Sequence, residues 1–99
     1  MAAFKDLDPL LNNQLRLAVM SILISVDSAE FTFLKESTEA SSGNLSVQLT
    51  KLEEAGYIHI QKTFQGKIPK TICSATKIGI SAFEKHFASL QSYLPKNQE

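Results

Sequence analysis

At 99 residues the chain has room for one domain with a single core, and its 43% hydrophobic and 20% charged content excludes a disordered polypeptide. A lone cysteine, Cys73, excludes an intrachain disulfide or thiolate metal cluster, and the longest nearly apolar run, residues 17 to 24, is too short to cross a bilayer. Ten basic residues balance ten acidic ones, a neutrality that at first counts against a nucleic-acid partner.

The distribution of charge says otherwise. Residues 1 to 56 hold four basic against eight acidic side chains, whereas residues 57 to 83 hold Lys62, Lys67, Lys70 and Lys77 with no acid. Phosphate affinity follows the local cluster, so one end of the molecule is expected to be basic. The opening Met1-Ala2-Ala3-Phe4-Lys5-Asp6 lacks the arrangement of a signal peptide, and a cytoplasmic protein is expected. Residues 1–8 read as a tail, 9–94 as the folded domain and 95–99 as a second, frayed tail.

In chain order, Asp8-Pro9 offers a helix start, with the helix running to about Ser25. Leu11, Leu15, Ala18 and Ile22 form one apolar stripe, and Leu10, Leu17, Met20 and Ile24 a second on the other side. A helix apolar on both sides has two partners: its own core and, by this reading, a second subunit. After a polar break, residues 31–38 give a short helix with Thr32 as its candidate cap and Phe31, Phe33 and Leu34 as core anchors. A turn of small residues, Glu39 to Gly43, leads into a helix over 42–55 capped by Ser41 or Ser42. There Leu45, Leu49 and Leu52 share one narrow face, while Asn44, Val47, Thr50 and Lys51 lie on or near the opposite one. Two short helices joined by a small-residue turn, the second amphipathic, are helix-turn-helix punctuation.

After Gly56 the period changes to two. Tyr57 to Phe64 alternates, Gln65-Gly66-Lys67 turns, and Ile68 to Ser74 returns, with Pro69 arguing for an edge strand. A short extra strand is expected near 29–31. Thr76 caps a last helix reaching about Tyr93 or Leu94 before Pro95. Its Ile80, Phe83, Phe87, Leu90 and Leu94 are spaced 3, 4, 3 and 4, the spacing of helix-on-helix packing.

Three stretches carry a family resemblance: Arg16 to Leu23, Gly43-Asn44-Leu45-Ser46, and Leu49 to Ile58, continued by Lys62 to Thr71 and Thr76-Lys77-Ile78-Gly79. The chain resembles the winged-helix transcriptional regulators of the MarR/ArsR-like group, in particular its short single-domain members. The resemblance implies a mainly α, α+β fold: a winged helix-turn-helix with a two-stranded β wing and a C-terminal dimerisation helix. It also implies a homodimer that binds double-stranded DNA and regulates transcription. Carried over by position, the base-reading residues would be Asn44, Ser46, Val47, Gln48 and Thr50, and the wing contacts Lys67 and Lys70. Gln48 stands where relatives often have histidine, and Ile68 where a second basic wing residue is common.

By their chemistry, Asn44 or Gln48 can pair bidentately with adenine, Ser46 and Thr50 can reach phosphate or base, and Val47 can meet a thymine methyl. Ser42, Lys51 and Lys62 complete the expected DNA-facing set. Leu10 and Leu17 join Ile80, Phe83, Phe87, Leu90 and Leu94 as the expected dimer interface, where Arg16 could pair with an acid. The lysines also suit a merely soluble hairpin edge, and a protein-interaction module without DNA specificity is the alternative function. Cys73 reads as a small buried hydrophobe. No catalytic motif, metal-ligand spacing or cofactor loop is present, so neither an enzyme nor a cofactor is expected, and the sequence names no small-molecule effector.

Overall fold

A computed structural model of the protein describes residues 3–95, so the expected tail beyond Pro95 lies outside the described residues. Among them the order is α1 (Gln14–Ile24), β1 (Ala29–Glu30), α2 (Phe31–Thr38), α3 (Ser42–Glu54), β2 (Ile58–Gln65), β3 (Ile68–Ala75) and α4 (Lys77–Gln91). The strands form an antiparallel sheet in the order β1-β3-β2, and the β2–β3 hairpin projects from it as the wing. This is the winged helix-turn-helix expected from the sequence, including its short strand at Ala29–Glu30.

The core closes around Leu11, Val19, Met20 and Leu23 from the amino-terminal third, Leu34 of α2, and Leu45, Leu49 and Leu52 of α3. Ile58 and Cys73 cover it from the sheet. The expected seam of α3 is therefore the buried one. The first helix differs from expectation in both start and phase. Asp8 accepts the Leu10 N–H at Oδ1 and the Asn12 N–H at its carbonyl, both at 2.8 Å, which closes one turn that goes no further. Asn13 is extended (φ −147°, ψ 128°) and its side chain accepts the Arg16 N–H at 3.0 Å, so the helix begins at Gln14 rather than Pro9. Leu10 and Leu11 precede the helix, whose buried face is Val19, Met20 and Leu23, so of the helical residues in the two expected stripes only Met20 is fully buried.

Two smaller expectations also change. Thr32 does not cap α2: Glu30 occupies the N-cap without a side-chain bond, placing Thr32 inside the first turn. Phe31 and Leu34, three apart, share the inward face, while Phe33 points away and is 52% exposed. Pro69 does not mark an edge strand, since β3 is the middle strand, flanked by β1 over Ile72 and Cys73. Pro69 is tolerated because it lies beyond the reach of β1, where the hairpin stands clear of the sheet.

The junctions explain how α3 and the wing are held. Gly56 (φ +80°) ends α3 as a Schellman turn, its N–H reaching the Glu53 carbonyl and the Tyr57 N–H the Leu52 carbonyl, each at 2.9 Å. Gly66 (φ +63°) and Lys67 make the two-residue hairpin turn, with positive φ at the first position only, as in type II′. Thr76 then fastens α4 to the end of α3. Its N–H donates to the Tyr57 carbonyl at 3.0 Å, its hydroxyl donates to the Gly56 carbonyl at 2.6 Å, and the same oxygen accepts the Gly79 N–H at 3.0 Å.

Gly79 lies so close that a Cβ there would sit 2.1 Å from the Tyr57 carbonyl oxygen. Gly79→Ala is therefore expected to lower unfolding stability by about 2–3 kcal/mol or more through forced separation of α4 from the α3–β2 turn. Gly43→Ala, on the open face of α3 with nothing within 4 Å, is expected to raise it by ~0.5 kcal/mol. Urea midpoints of the two variants test the contrast, and equal effects would refute the close-approach account.

Candidate nucleic-acid interface

Ser41 caps α3, its hydroxyl accepting the Asn44 N–H at 3.1 Å, and the helix then turns Ser42, Asn44, Ser46, Val47, Thr50 and Lys51 outward. Six of the expected reading residues thus lie exposed on one helix whose opposite face is locked in the core. Thr50 spends its hydroxyl proton on the Ser46 carbonyl at 3.0 Å and presents its methyl and a free lone pair. Val47 is 51% exposed, an apolar contact with nothing of its own chain to cover it.

Gln48 is placed differently. It is half-buried, and its side-chain oxygen accepts from a guanidinium N–H of Arg16, reaching across from α1. Its amide nitrogen donates to Asn44 Oδ1 at 3.0 Å. Arg16 is further held by its Nε–H on the Leu10 carbonyl at 2.5 Å. Within its own chain the guanidinium is therefore taken up by a carbonyl and an amide rather than by an acid.

The wing faces α3 across a groove of about 610 Å³ that is lined by Ser46 and Thr50 on one side and Lys62 and Thr71 on the other. Antiparallel partners share a face, so Lys62 and Thr71 point into the groove while Lys70, next along β3, points away. Lys67 sits exposed in the hairpin turn. Lys70 forms an ion pair with Glu30 at 2.7 Å, the only one among the described residues. The acid-free environment expected for the three lysines thus holds along the sequence but not in space, because β1 brings Glu30 beside β3. The pair is partly exposed and contributes little to stability, yet it sets an opposing charge beside the ammonium that Lys70 would offer a phosphate. Phe64 and Ile68 stand 69% and 66% exposed near the tip.

The expected dimer residues lie on a separate surface. α4 buries Gly79, His86 and Ser89, so the stripe of Ile80, Phe83 and Leu90 is only half-covered, with Phe87 at 55% and Leu94 at 67% exposure. Phe83 and Phe87 stack at 6.5 Å. Leu10 and Leu17 are likewise half-covered. Spacing alone did not distinguish the core-facing stripe of α4 from the open one beside it.

Two buried groups support the frame. His86 accepts the Asp8 N–H at Nδ1 (3.0 Å), and its Nε2 has no hydrogen-bond partner among the described residues. Tyr57 donates to Asp8 Oδ2 at 2.6 Å, so a single aspartate joins the chain before α1 to the α3–β2 turn and to α4. No sequence signal marked His86 for this role. The hydrogen bond to Asp8, with burial and the negative charge of Asp8 adding to it, pushes the Tyr57 hydroxyl up to about 12. Burial, with a smaller contribution from Glu53, pushes the Cys73 thiol up to about 11. Cys73 is fully buried, as expected of a small hydrophobe.

An outward polar helix beside a lysine-bearing β-hairpin, with helix-turn-helix entry, defines a winged-helix domain of the DNA-binding class. The chain belongs to the family described as winged helix DNA-binding domain, whose model matches residues 15–94. An uncharacterised protein of Methanocaldococcus jannaschii is 34% identical over 89 residues, covering 89% of this chain and 95% of that one. A transcriptional regulator homologue from Pyrococcus horikoshii superposes with a TM-score of 0.79 at 25% identity, over 85% of this chain and 83% of the other. Reduced AbfR, solved bound to DNA, shares the fold at a TM-score of 0.72 and 22% identity, over 83% of this chain and 58% of its own. The kinship with winged-helix transcriptional regulators expected from the sequence is met. No helix among the described residues is long and apolar enough to cross a membrane.

Both raised pKa values make stability depend on alkaline pH. The folded state keeps protons that the unfolded chain releases, so stability falls as pH rises, from about 9 to 11 through Cys73 and from about 10 to 12 through Tyr57. Cys73→Ala is expected to flatten the first part of this fall and Tyr57→Phe the second, as read from urea midpoints at stepped pH. A wild-type stability that stays level between pH 9 and 11 would show that the thiol is not held back by burial.

Proposed function

We propose that the protein is a cytoplasmic, sequence-specific regulator of transcription that binds double-stranded DNA as a homodimer. In this reading α3 enters the major groove with its amino-terminal half, and the wing, residues 62–70, lies on the backbone or in the minor groove. The observation that carries it is the outward face of α3: a largely polar surface from Ser42 to Lys51 with Val47 exposed within it, backed by a buried leucine seam and flanked across one groove by Lys62. The seam fixes the helix, so its outer side chains can be presented to base edges with little motion. Phosphate contacts would come from Lys51, Lys62 and Lys67, with Lys70 weakened by Glu30.

The half-covered stripe of α4, with Leu10 and Leu17, is the proposed subunit contact. It supplies the two-fold that sets two recognition helices about one turn of duplex, ~34–36 Å, apart. Dimerisation also doubles the lysines available to phosphate, which a neutral protomer needs. Any small-molecule effector would act by shifting the angle between the two subunits.

The exposed Phe64 and Ile68 at the wing tip favour one competing use, a winged helix that docks on another protein. Salt dependence separates the two. DNA affinity is expected to fall steeply between low and moderate salt, with Lys67→Ala weakening all sequences and lowering the slope by about 1. Asn44→Ala is instead expected to relax preference at particular bases while leaving the slope unchanged. Affinity indifferent to salt would exclude the DNA reading. Phe87→Glu is expected to halve the mass seen by sedimentation and to abolish selection of a palindromic site from a random duplex pool. A wild-type monomer in the same experiment would remove the dimer from the proposal.

A further inference from the structure

The contact between α1 and α3 bears on what the recognition helix can read. Arg16 donates through Nε to the Leu10 carbonyl at 2.5 Å and through Nη1 to Gln48 Oε1, and Gln48 Nε2 donates to Asn44 Oδ1 at 3.0 Å. A guanidinium has only donors, whereas an amide has a donor end and an acceptor end that can exchange by a half-turn. The direction of the chain is therefore fixed from its root. Arg16 accepts nothing, so Gln48 must show it oxygen. Gln48 then shows nitrogen to Asn44, and Asn44 must answer with oxygen. What remains at the exposed end is the Asn44 amide nitrogen with its protons.

We propose that Arg16 is a specificity-determining positioning residue, which holds Asn44 with its NH₂ outward so that the helix reads a base edge made of acceptors. The inference rests on the DNA-binding function proposed above and specifies its chemistry. An adenine is paired bidentately by a free amide, which accepts from N6 and donates to N7. Here Asn44 Oδ1 already accepts from Gln48 and Gln48 Oε1 already accepts from Arg16, so each oxygen has one lone pair engaged, while the Asn44 NH₂ has no partner among the described contacts. Guanine shows N7 and O6, both acceptors, to the major groove, and suits a donor-only group. Guanine offers such a donor two acceptors where adenine and thymine offer one each, so guanine is the base expected under Asn44. Gln48, half-buried, acts through Asn44 rather than as a reader.

The relay can be tested with and without DNA. In the free protein the Gln48 side-chain amide protons, which face Asn44 Oδ1, are expected to show slowed exchange by NMR while those of the exposed Asn44 amide exchange freely, and Arg16→Met is expected to remove the protection of Gln48. Gln48→Leu breaks the relay from its middle and should free Asn44 equally. The double variant should free it no further, a non-additivity that loss of the Leu10 contact alone would not produce. In selection from a random duplex pool, the position whose preference disappears in Asn44→Ala marks the base read. Wild type is expected to favour guanine over adenine there by about tenfold, and Arg16→Met to reduce the ratio to about twofold or less with the salt slope intact. Adenine at the marked position, or amide protection that survives Arg16→Met, overturns the proposal. A protein that selects no sequence instead overturns the DNA-binding function, and the amide measurement still decides whether the relay exists.

Discussion

The close approach of Gly79 to the carbonyl of Tyr57 governs the geometry of everything else. The α3–β2 turn has little slack: Gly56 ends α3 in a left-handed conformation, and Tyr57 alone separates it from the strand that starts at Ile58. Thr76 bonds the carbonyls of Gly56 and Tyr57 together, and the first turn of α4 can reach them only because position 79 carries no side chain. The recognition helix, the wing and the last helix therefore meet at one point. The angle between α3 and the hairpin, and the direction in which α4 leaves toward its open stripe, are constrained by these backbone contacts together with the core that α3 and the hairpin share. Asp8 adds a second brace to the same point by holding both Tyr57 and His86.

Most of the architecture was legible because its signals were local. The leucine seam of α3, the Gly56 stop, the change to period two and the Thr76 cap each arise within a few residues of where they act. The first helix was misjudged because Asp8-Pro9 and Asn13 are both competent caps. Which one starts the helix is decided by whether Asn13 is extended, and no pattern of apolar residues records that. Pro69 misled for a related reason. Being an edge is a property of a position along a strand, and β3 is central at Cys73 and bare at Pro69.

The exposure of the outward face of α3 was legible in the sequence, but the pairings of its neighbours were not. Ser42, Asn44, Ser46, Val47, Thr50 and Lys51 are exposed as the helical period required, and Lys62 faces them. The ion pair of Lys70 with Glu30 and the reach of Arg16 to Gln48 join positions 40 and 32 residues apart. Counting charges within a window cannot see the first, and helical periodicity cannot see the second. On α4 the difficulty was degeneracy: two neighbouring stripes carry apolar or small residues, and which is covered depends on the braces at Tyr57 and Asp8.

These pairings alter how the proposed function divides its free energy. With Lys70 partly neutralised and Glu53 and Glu54 exposed near the end of α3, each protomer offers only a few unopposed lysines to the duplex. The sequence-independent part of binding, which scales with the number of phosphates neutralised, is correspondingly small for a single protomer. Discrimination in that reading falls to the polar groups on the amino-terminal half of α3, and a donor oriented before the base arrives spares the cost of ordering it on binding. Arg16 supplies that orientation from a helix outside the helix-turn-helix. It is anchored on the carbonyl of Leu10, a residue at the proposed subunit contact, so the outward face of α3 and the proposed dimer surface are joined through a single guanidinium.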